Sequence, residues 1–267
     1  MARAIAELMR LDGRTALVAG GAGHIGAAAC ESLAELGAAV VALDRDGARA
    51  EEVARRLRDS GKQATAIAAD LADESGCRAA PARAAKAYGR LDILVHAAAF
   101  VNQGNEAGYA TAFERQESRP WRHALEVNLT SAFVLVQAAA PLLRASGHGA
   151  VILFGSTYGL LGPDMRLYDG TSLGNAAAYA ASKGGVLQLT RWLATALAPE
   201  IRVNAISPGG IWRDHPEAFA TRYSERTPLA RMGREEDVTG AVAYLASDLS
   251  AYVTGHNLVV DGGWTAW

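Results

Sequence analysis

Cysteine is almost missing from this 267-residue sequence, with only Cys30 and Cys77 present. Cys30 lies in an apolar helical stretch and Cys77 in a helical stretch of mixed polarity. A disulfide framework is therefore not expected, and a reducing, cytoplasmic setting is the expectation. Charge of one sign is lacking as well: 26 basic residues stand against 28 acidic ones, for a formal net charge of −2, with no long single-sign block. Neither a nucleic-acid backbone nor an anionic membrane is an expected partner. Long hydrophobic runs are absent too. None reaches the roughly 18 apolar residues of a membrane span, and the first fourteen residues are broken by Arg3, Glu7, Arg10 and Asp12. The six histidines, at positions 24, 96, 123, 148, 215 and 256, fall in no metal-ligand spacing, so no catalytic metal is expected. These exclusions leave a protein that acts on small molecules.

Half of the residues are hydrophobic, enough for one α/β domain with a sizeable core. Strand-like apolar runs at 15–19, 39–43, 64–68, 91–96, 150–154, 201–206 and 258–260 alternate with helical patterns. The helical patterns run up to residue 36 and over 47–59, 73–88, 119–143, 175–197 and 235–245. Such alternation predicts a doubly wound parallel sheet with helices on both faces, whose ligand crevice lies beyond the carboxyl ends of the strands.

The segment from Gly20 through Gly21, Ala22, Gly23, His24 and Ile25 to Gly26 follows the first strand and opens a helix. A turn of this kind brings backbone N–H groups close to a pyrophosphate, and its strand–helix context makes dinucleotide binding the leading reading over an ordinary tight turn. Asp44 ends the second strand. A carboxylate there accepts ribose hydroxyls and repels a 2′-phosphate, which favours NAD over NADP. Arg45 beside it works the other way, since a guanidinium can pair with a 2′-phosphate. Helix capping is the alternative use of Asp44, and Asp46 could serve that purpose equally.

Tyr179 and Lys183 stand four apart in a helical stretch, which puts a phenol and an ammonium on one face. A cation about 4 Å away at an effective dielectric near 20 favours a phenolate by about 4 kcal/mol. Tyr179 could then act as an acid or base near neutral pH. Asn128 interrupts an apolar helical run where an amide is a poor helix former, which points to a kink or to a buried hydrogen bond.

Taken together, these residues resemble the short-chain dehydrogenase/reductase family, over nearly the whole chain from about residue 11. The resemblance implies a single-domain Rossmann-type fold and a catalytic set of Asn128, Ser156, Tyr179 and Lys183. Within that set it implies that Tyr179 exchanges the hydroxyl proton and Ser156 hydrogen-bonds the substrate oxygen. Lys183 would lower the phenol pKa and grip the nicotinamide ribose, and Asn128 would hold a proton-relaying water. The implied dinucleotide contacts are Gly20, Gly23, His24, Ile25, Gly26, Asp44, Arg45, Asp70, Leu71, Ala97, Tyr179, Lys183, Pro208, Gly209 and Ile211. Asp261, Gly262 and Gly263 match the family's C-terminal signature.

Four departures stand out. Ala19 replaces a usual Thr and His24 a usual Gly; His96 opens a stretch that usually reads Asn-Asn-Ala-Gly; and Arg213 occupies the place of a cofactor-contacting Thr.

Substrate-covering segments are expected near 100–118, 157–175 and 210–228. The second is longer than the family norm through a polar insertion at 162–172. Polar and charged lining suits a sugar, polyol or sugar derivative. The insertion and the C-terminal ending together resemble a subgroup associated with bacterial surface-sugar (nonulosonic acid) pathways. An NADPH-dependent ketoreductase of hydrophobic or carrier-bound carbonyls is the competing reading, and a non-catalytic NAD-binding regulator the remote one. The family resemblance further implies a homotetramer built on the long helices, which the broad apolar run at 133–136 would suit.

Overall fold

The computed structural model describes residues 3–101 and 106–267. Seven parallel strands form one sheet: β1 (Thr15–Ala19), β2 (Ala39–Asp44), β3 (Ala64–Ala68), β4 (Ile93–His96), β5 (Gly149–Phe154), β6 (Ile201–Pro208) and β7 (Asn257–Val260). Their order across the sheet is β3-β2-β1-β4-β5-β6-β7. The helices are α1 (Ile5–Met9), α2 (His24–Glu35), α3 (Gly47–Asp59), α4 (Glu74–Tyr88), α5 (Ser118–Leu125), α6 (Ser131–Ser146), α7 (Ala177–Ala196), α8 (Glu217–Arg226) and α9 (Glu236–Ala246).

The strands read as continuous apolar runs because both faces of the sheet are covered. Alternation within each strand still sorts side chains between two cores. Ala16, Val18, Val40 and Ala42 pack against α2, α3 and α9 on one face. Leu17, Ala19, Val41 and Leu43 pack with residues of α4, α6 and α7 on the other. The strand order reverses between β1 and β4, so the loops after these strands part and leave a crevice at their carboxyl ends.

Polar side chains set several boundaries. Asp46 caps α3 by accepting from the Arg49 N–H at 3.0 Å, and Asp73 caps α4 by accepting from Ser75 and Gly76. Buried Asp92 ties the start of the sheet together. It accepts from the Thr15 N–H at 2.9 Å and from Arg90 Nε at 2.8 Å.

The elements follow the alternation read from sequence, with three differences. The helix expected over 119–143 is a longer run, Ser118–Ser146, interrupted by a π-turn at Glu126–Thr130 that contains Asn128. This run has the length and apolarity of a membrane span, yet close to half of its most apolar window, 44%, is buried inside the fold. The 210–228 segment contains α8, whose apolar signal amounts to little more than Phe219 and Tyr223 on one face. The insertion at 162–172, expected to hang over the site, is docked on α8. Arg222 donates to the carbonyls of Leu167 at 3.3 Å and Asp169 at 2.6 Å. Asp164 pairs with Arg166 and Arg226, and Leu167 is buried with Phe219, Tyr223, Met232 and Trp264. Of the 100–118 segment, residues 102–105 lie outside the described residues.

Replacing Asp92 by Ala would leave the buried Thr15 N–H without its acceptor, while the half-exposed Arg90 keeps the Ser146 carbonyl and solvent. A loss of roughly 1–3 kcal/mol is expected, measured as a lowered midpoint in urea unfolding with the slope unchanged.

Candidate active site

Two joined cavities open at the carboxyl end of the sheet. The larger, about 710 Å³, runs from the glycine turn past Asp44 to Tyr179 and Lys183. The smaller, about 300 Å³, lies beyond Tyr179 and is walled by the insertion and α8. Ile25, Val101, Tyr179, Pro208 and Arg213 line both.

The larger cavity owes its shape to close backbone approaches. Gly20 has φ +80°, and a Cβ there would lie 2.6 Å from the Ala98 backbone; one on Gly26 would lie 2.0 Å from the Gly20 carbonyl oxygen. Side chains at these positions would fill the cradle, so the residues present fit a dinucleotide backbone. His24 begins α2, where no left-handed backbone is required, and its ring is largely exposed with Nδ1 3.7 Å from Glu235. Asp44 accepts the Ala22 and Asp46 N–H groups, both at 3.2 Å, at the cavity wall. Asp70 accepts from the Ala72 N–H at 2.9 Å.

Of the dinucleotide contacts read from sequence, Gly20, Gly23, His24, Ile25, Gly26, Asp44, Arg45, Asp70, Leu71, Ala97, Tyr179, Lys183 and Pro208 line this cavity. Gly209 and Ile211 line the smaller one. Arg49, Glu106 and Arg119 also line the larger cavity without having been singled out in the sequence. No motif marks them, and only the fold brings them to the crevice.

The four expected catalytic residues converge from three directions. Ser156 follows β5, Tyr179 and Lys183 share one face of α7, and Asn128 arrives through the π-turn. Asn128 is fully buried. Its Oδ1 accepts from the Phe100 N–H and its Nδ2 donates to Ser182 Oγ at 2.9 Å. Ser182 in turn donates to the Tyr179 carbonyl at 2.8 Å. Both sequence readings of Asn128, a helix irregularity and a buried hydrogen-bonding role, are thus met.

His96 supports the π-turn from beneath. Ser131 Oγ donates to the Val127 carbonyl, which leaves it to accept from His96 Nε2 at 2.7 Å. Burial, followed by the nearby Lys183 charge, pushes His96 down to about 3, so this ring is neutral.

The electrostatics differ from the sequence expectation in one respect. Lys183 was expected to lower the Tyr179 pKa, but that phenol is raised. Burial is the largest cause; the Ser156 hydroxyl and the Arg213 charge oppose it. Lys183 Nζ donates to the Phe154 carbonyl at 2.7 Å and lies 5.7 Å from the centre of the Tyr179 ring. Burial pushes the ammonium itself down to about 8. Desolvation outweighs pairing at this distance because no carboxylate accompanies the cation.

The unfolded chain holds the Lys183 proton more tightly than the folded chain. The stability linked to this group is present above its ordinary value of 10.5 and is lost as pH falls through about 8. Lys183→Met is expected to stabilise the cofactor-free protein by roughly 1–3 kcal/mol at pH 7. That advantage should shrink as pH rises toward 10.5. Urea unfolding of both proteins at neutral and alkaline pH measures it.

Comparison with known proteins agrees with this arrangement. A family model described as "Enoyl-(Acyl carrier protein) reductase", of the short-chain alcohol dehydrogenase type, matches residues 20–265. The chain is 38% identical to cis-4-hydroxycyclohexanecarboxylate dehydrogenase of Sinomonas cyclohexanicum, over 95% of this chain and 97% of that one. It is 34% identical to galactitol 2-dehydrogenase (L-tagatose-forming) of Cereibacter sphaeroides, over 97% and 98%. Among solved structures, a gluconate 5-dehydrogenase from Burkholderia cenocepacia J2315 in complex with NADP and tartrate superposes with a TM-score of 0.86. It is 33% identical, with 99% of this chain and 100% of that one covered. The chain belongs to the short-chain dehydrogenase/reductase family and is an oxidoreductase of CH–OH groups.

Proposed function

We propose that this protein interconverts a secondary alcohol and its ketone on a sugar, polyol or related hydroxylated compound, with NAD as the redox partner. The observation that carries the reading is the position of Tyr179, whose side chain lines both the dinucleotide-shaped cleft and the smaller cavity. Its phenol is therefore available to a substrate lying against a nicotinamide. Bound in the larger cavity, the dinucleotide would supply the hydride acceptor or donor.

The chain's own groups divide the remaining work. Tyr179 gives a proton to, or takes one from, the substrate oxygen. Ser156, at the neck of the smaller cavity, orients that oxygen. Lys183, held on the Phe154 carbonyl 5.7 Å from the centre of the Tyr179 ring, supplies positive charge at neutral pH, and Asn128 locks the π-turn to α7.

NAD is preferred over NADP because Asp44 places a carboxylate at the cleft wall, where a 2′-phosphate would be repelled. Arg45 and Arg49, on the same wall, are the residues that an NADP preference would use. The hydrogen-bonding groups of Tyr158, Tyr168, Asn175, Tyr223 and Arg213, set among apolar residues such as Ile211 and Met232, favour hydroxylated substrates over the hydrophobic or carrier-bound carbonyls of a ketoreductase. A role in surface-sugar (nonulosonic acid) metabolism is the narrower form of this proposal. A cytoplasmic location is supported by two buried free cysteines. A homotetramer is supported by Trp121, Phe133 and Trp192, which stay exposed on α5, α6 and α7.

Tyr179→Phe is expected to leave the NAD dissociation constant within about 3-fold while lowering turnover by roughly 10²–10⁴-fold. Titration of bound cofactor and steady-state rates read the two separately, and near-normal turnover would remove Tyr179 from the proton transfer. Because its phenol is raised, alcohol oxidation should accelerate as pH rises above neutral, with ketone reduction favoured at lower pH. Asp44→Ser should weaken NAD and tighten NADP, each by roughly 10-fold, as measured by calorimetry; unchanged selectivity would assign the choice to Arg45 or Arg49.

A further inference from the structure

The smaller cavity gathers several side-chain donors whose hydrogens find no acceptor among the described residues. Tyr168, from the insertion, accepts from Asn175 Nδ2 at 3.0 Å and shares a 2.8 Å hydrogen bond with Tyr158. Each phenol has one hydrogen, and their mutual bond uses one of the two. Whichever phenol donates, the other hydrogen has no acceptor among the described residues.

The same count applies at Tyr223 and His215. The Tyr223 oxygen accepts from the Gly210 N–H, and its own hydrogen has no acceptor among the described residues. His215 Nδ1 accepts the Arg213 N–H at 3.0 Å, which leaves the neutral ring's hydrogen on Nε2, again without an acceptor. All of these side chains line the cavity.

The charge of the lining has the same sense. Among the described residues it contains no Asp or Glu. Its one permanently charged side chain is Arg213. Arg213 Nε donates to Glu235 at 3.2 Å, while its Nη groups donate to no acceptor among the described residues.

The donors are held firmly. Phe219 lies between Tyr168 and His215, with ring centres 5.4 Å and 5.2 Å away, and Tyr223 stacks on Trp264 at 4.2 Å. A neutral hydroxyl both donates and accepts and would need acceptors opposite it. A carboxylate only accepts, through two oxygens.

We infer that this cavity takes an alcohol bearing a carboxylate, a hydroxy acid, whose carboxylate is received by the Tyr158–Tyr168 pair, Tyr223, His215 and Arg213 while its hydroxyl lies at Ser156 and Tyr179. This rests on the alcohol-oxidising reading above and narrows its substrate class. A phosphate is the less suited anion, because the cavity offers a single cation, Arg213, which is already paired with Glu235.

Two matched pairs test the inference: D-gluconate against D-glucitol, and 4-hydroxycyclohexanecarboxylate against 4-(hydroxymethyl)cyclohexanol. The wild-type protein should prefer the acid of at least one pair by about 30-fold in kcat/KM, mainly through KM. Tyr168→Phe, which keeps the ring on Phe219, should cost the acid roughly 10-fold more than its neutral partner. Arg213→Gln should reduce the preference further, with the NAD dissociation constant measured in parallel. Equal or inverted preference in the wild type, or equal losses on acid and neutral alcohol in Tyr168→Phe, would overturn the inference.

If the wild type turns over none of the four compounds, the alcohol reading falls for them, and calorimetry with unreactive cyclohexanecarboxylate decides the site by itself. Binding weakened about 10-fold in Tyr168→Phe would uphold the carboxylate site. No binding, or tighter binding of cyclohexyl phosphate, would overturn it.

Discussion

The close approach of backbone to backbone where β1 and β4 part is the constraint on which the rest of the molecule depends. Gly20 and Gly26 let the turn after β1 lie directly against Ala98 and against itself. Because no side chain intervenes, α2 starts close to the carboxyl end of β1 and its first residues line the crevice. A methyl group at Gly26 would meet the Gly20 carbonyl at 2.0 Å, far inside contact distance. The cleft for a dinucleotide is thus made by what is left out of the turn, and Asp44, Asp70 and Lys183 become cleft residues because the sheet delivers their strands and helix to the same end.

The second organising interaction is the burial of polar groups around α7. An ammonium, an amide and an imidazole, from Lys183, Asn128 and His96, lie almost wholly inside the protein. Each has its partner: the Phe154 carbonyl for Lys183, Ser182 and the Phe100 N–H for Asn128, and Ser131 for His96. Satisfied in this way, a buried polar network fixes geometry that a purely apolar core would leave looser. Its cost is visible in the depressed Lys183 and in the raised Tyr179. Those are the groups whose proton affinity a CH–OH oxidoreductase has to control.

A third level of organisation is the wall of the smaller cavity. The insertion, α8 and the C-terminal Trp264 pack as one apolar cluster, and Arg222 and Arg226 fasten the polar side of the insertion to α8. The polar loop read from sequence as a cover forms, with α8, a wall of this cavity. Its tyrosine hydroxyls have set positions, and selectivity can follow from which donors lack acceptors rather than from closure of a mobile flap.

Alternating apolar runs and helical periodicities determined the parallel sheet, because strands buried on both faces must be apolar throughout and their crossovers must be helices. Spacing alone placed Tyr179 and Lys183 on one face, and the glycine turn in its strand–helix context placed the dinucleotide cleft. Asn128 was legible as an anomaly, an amide in an apolar helix, although the π-turn that explains it was not. Only the tertiary structure decided the remainder. It showed that Lys183 reaches the Phe154 carbonyl rather than pairing closely with the phenol, and that burial sets the sign of both pKa shifts. It also brought Tyr158, Tyr168, Tyr223 and His215 to one cavity from separate segments. Desolvation and donor–acceptor balance depend on everything packed around a group, and that neighbourhood is assembled from residues far apart in the chain.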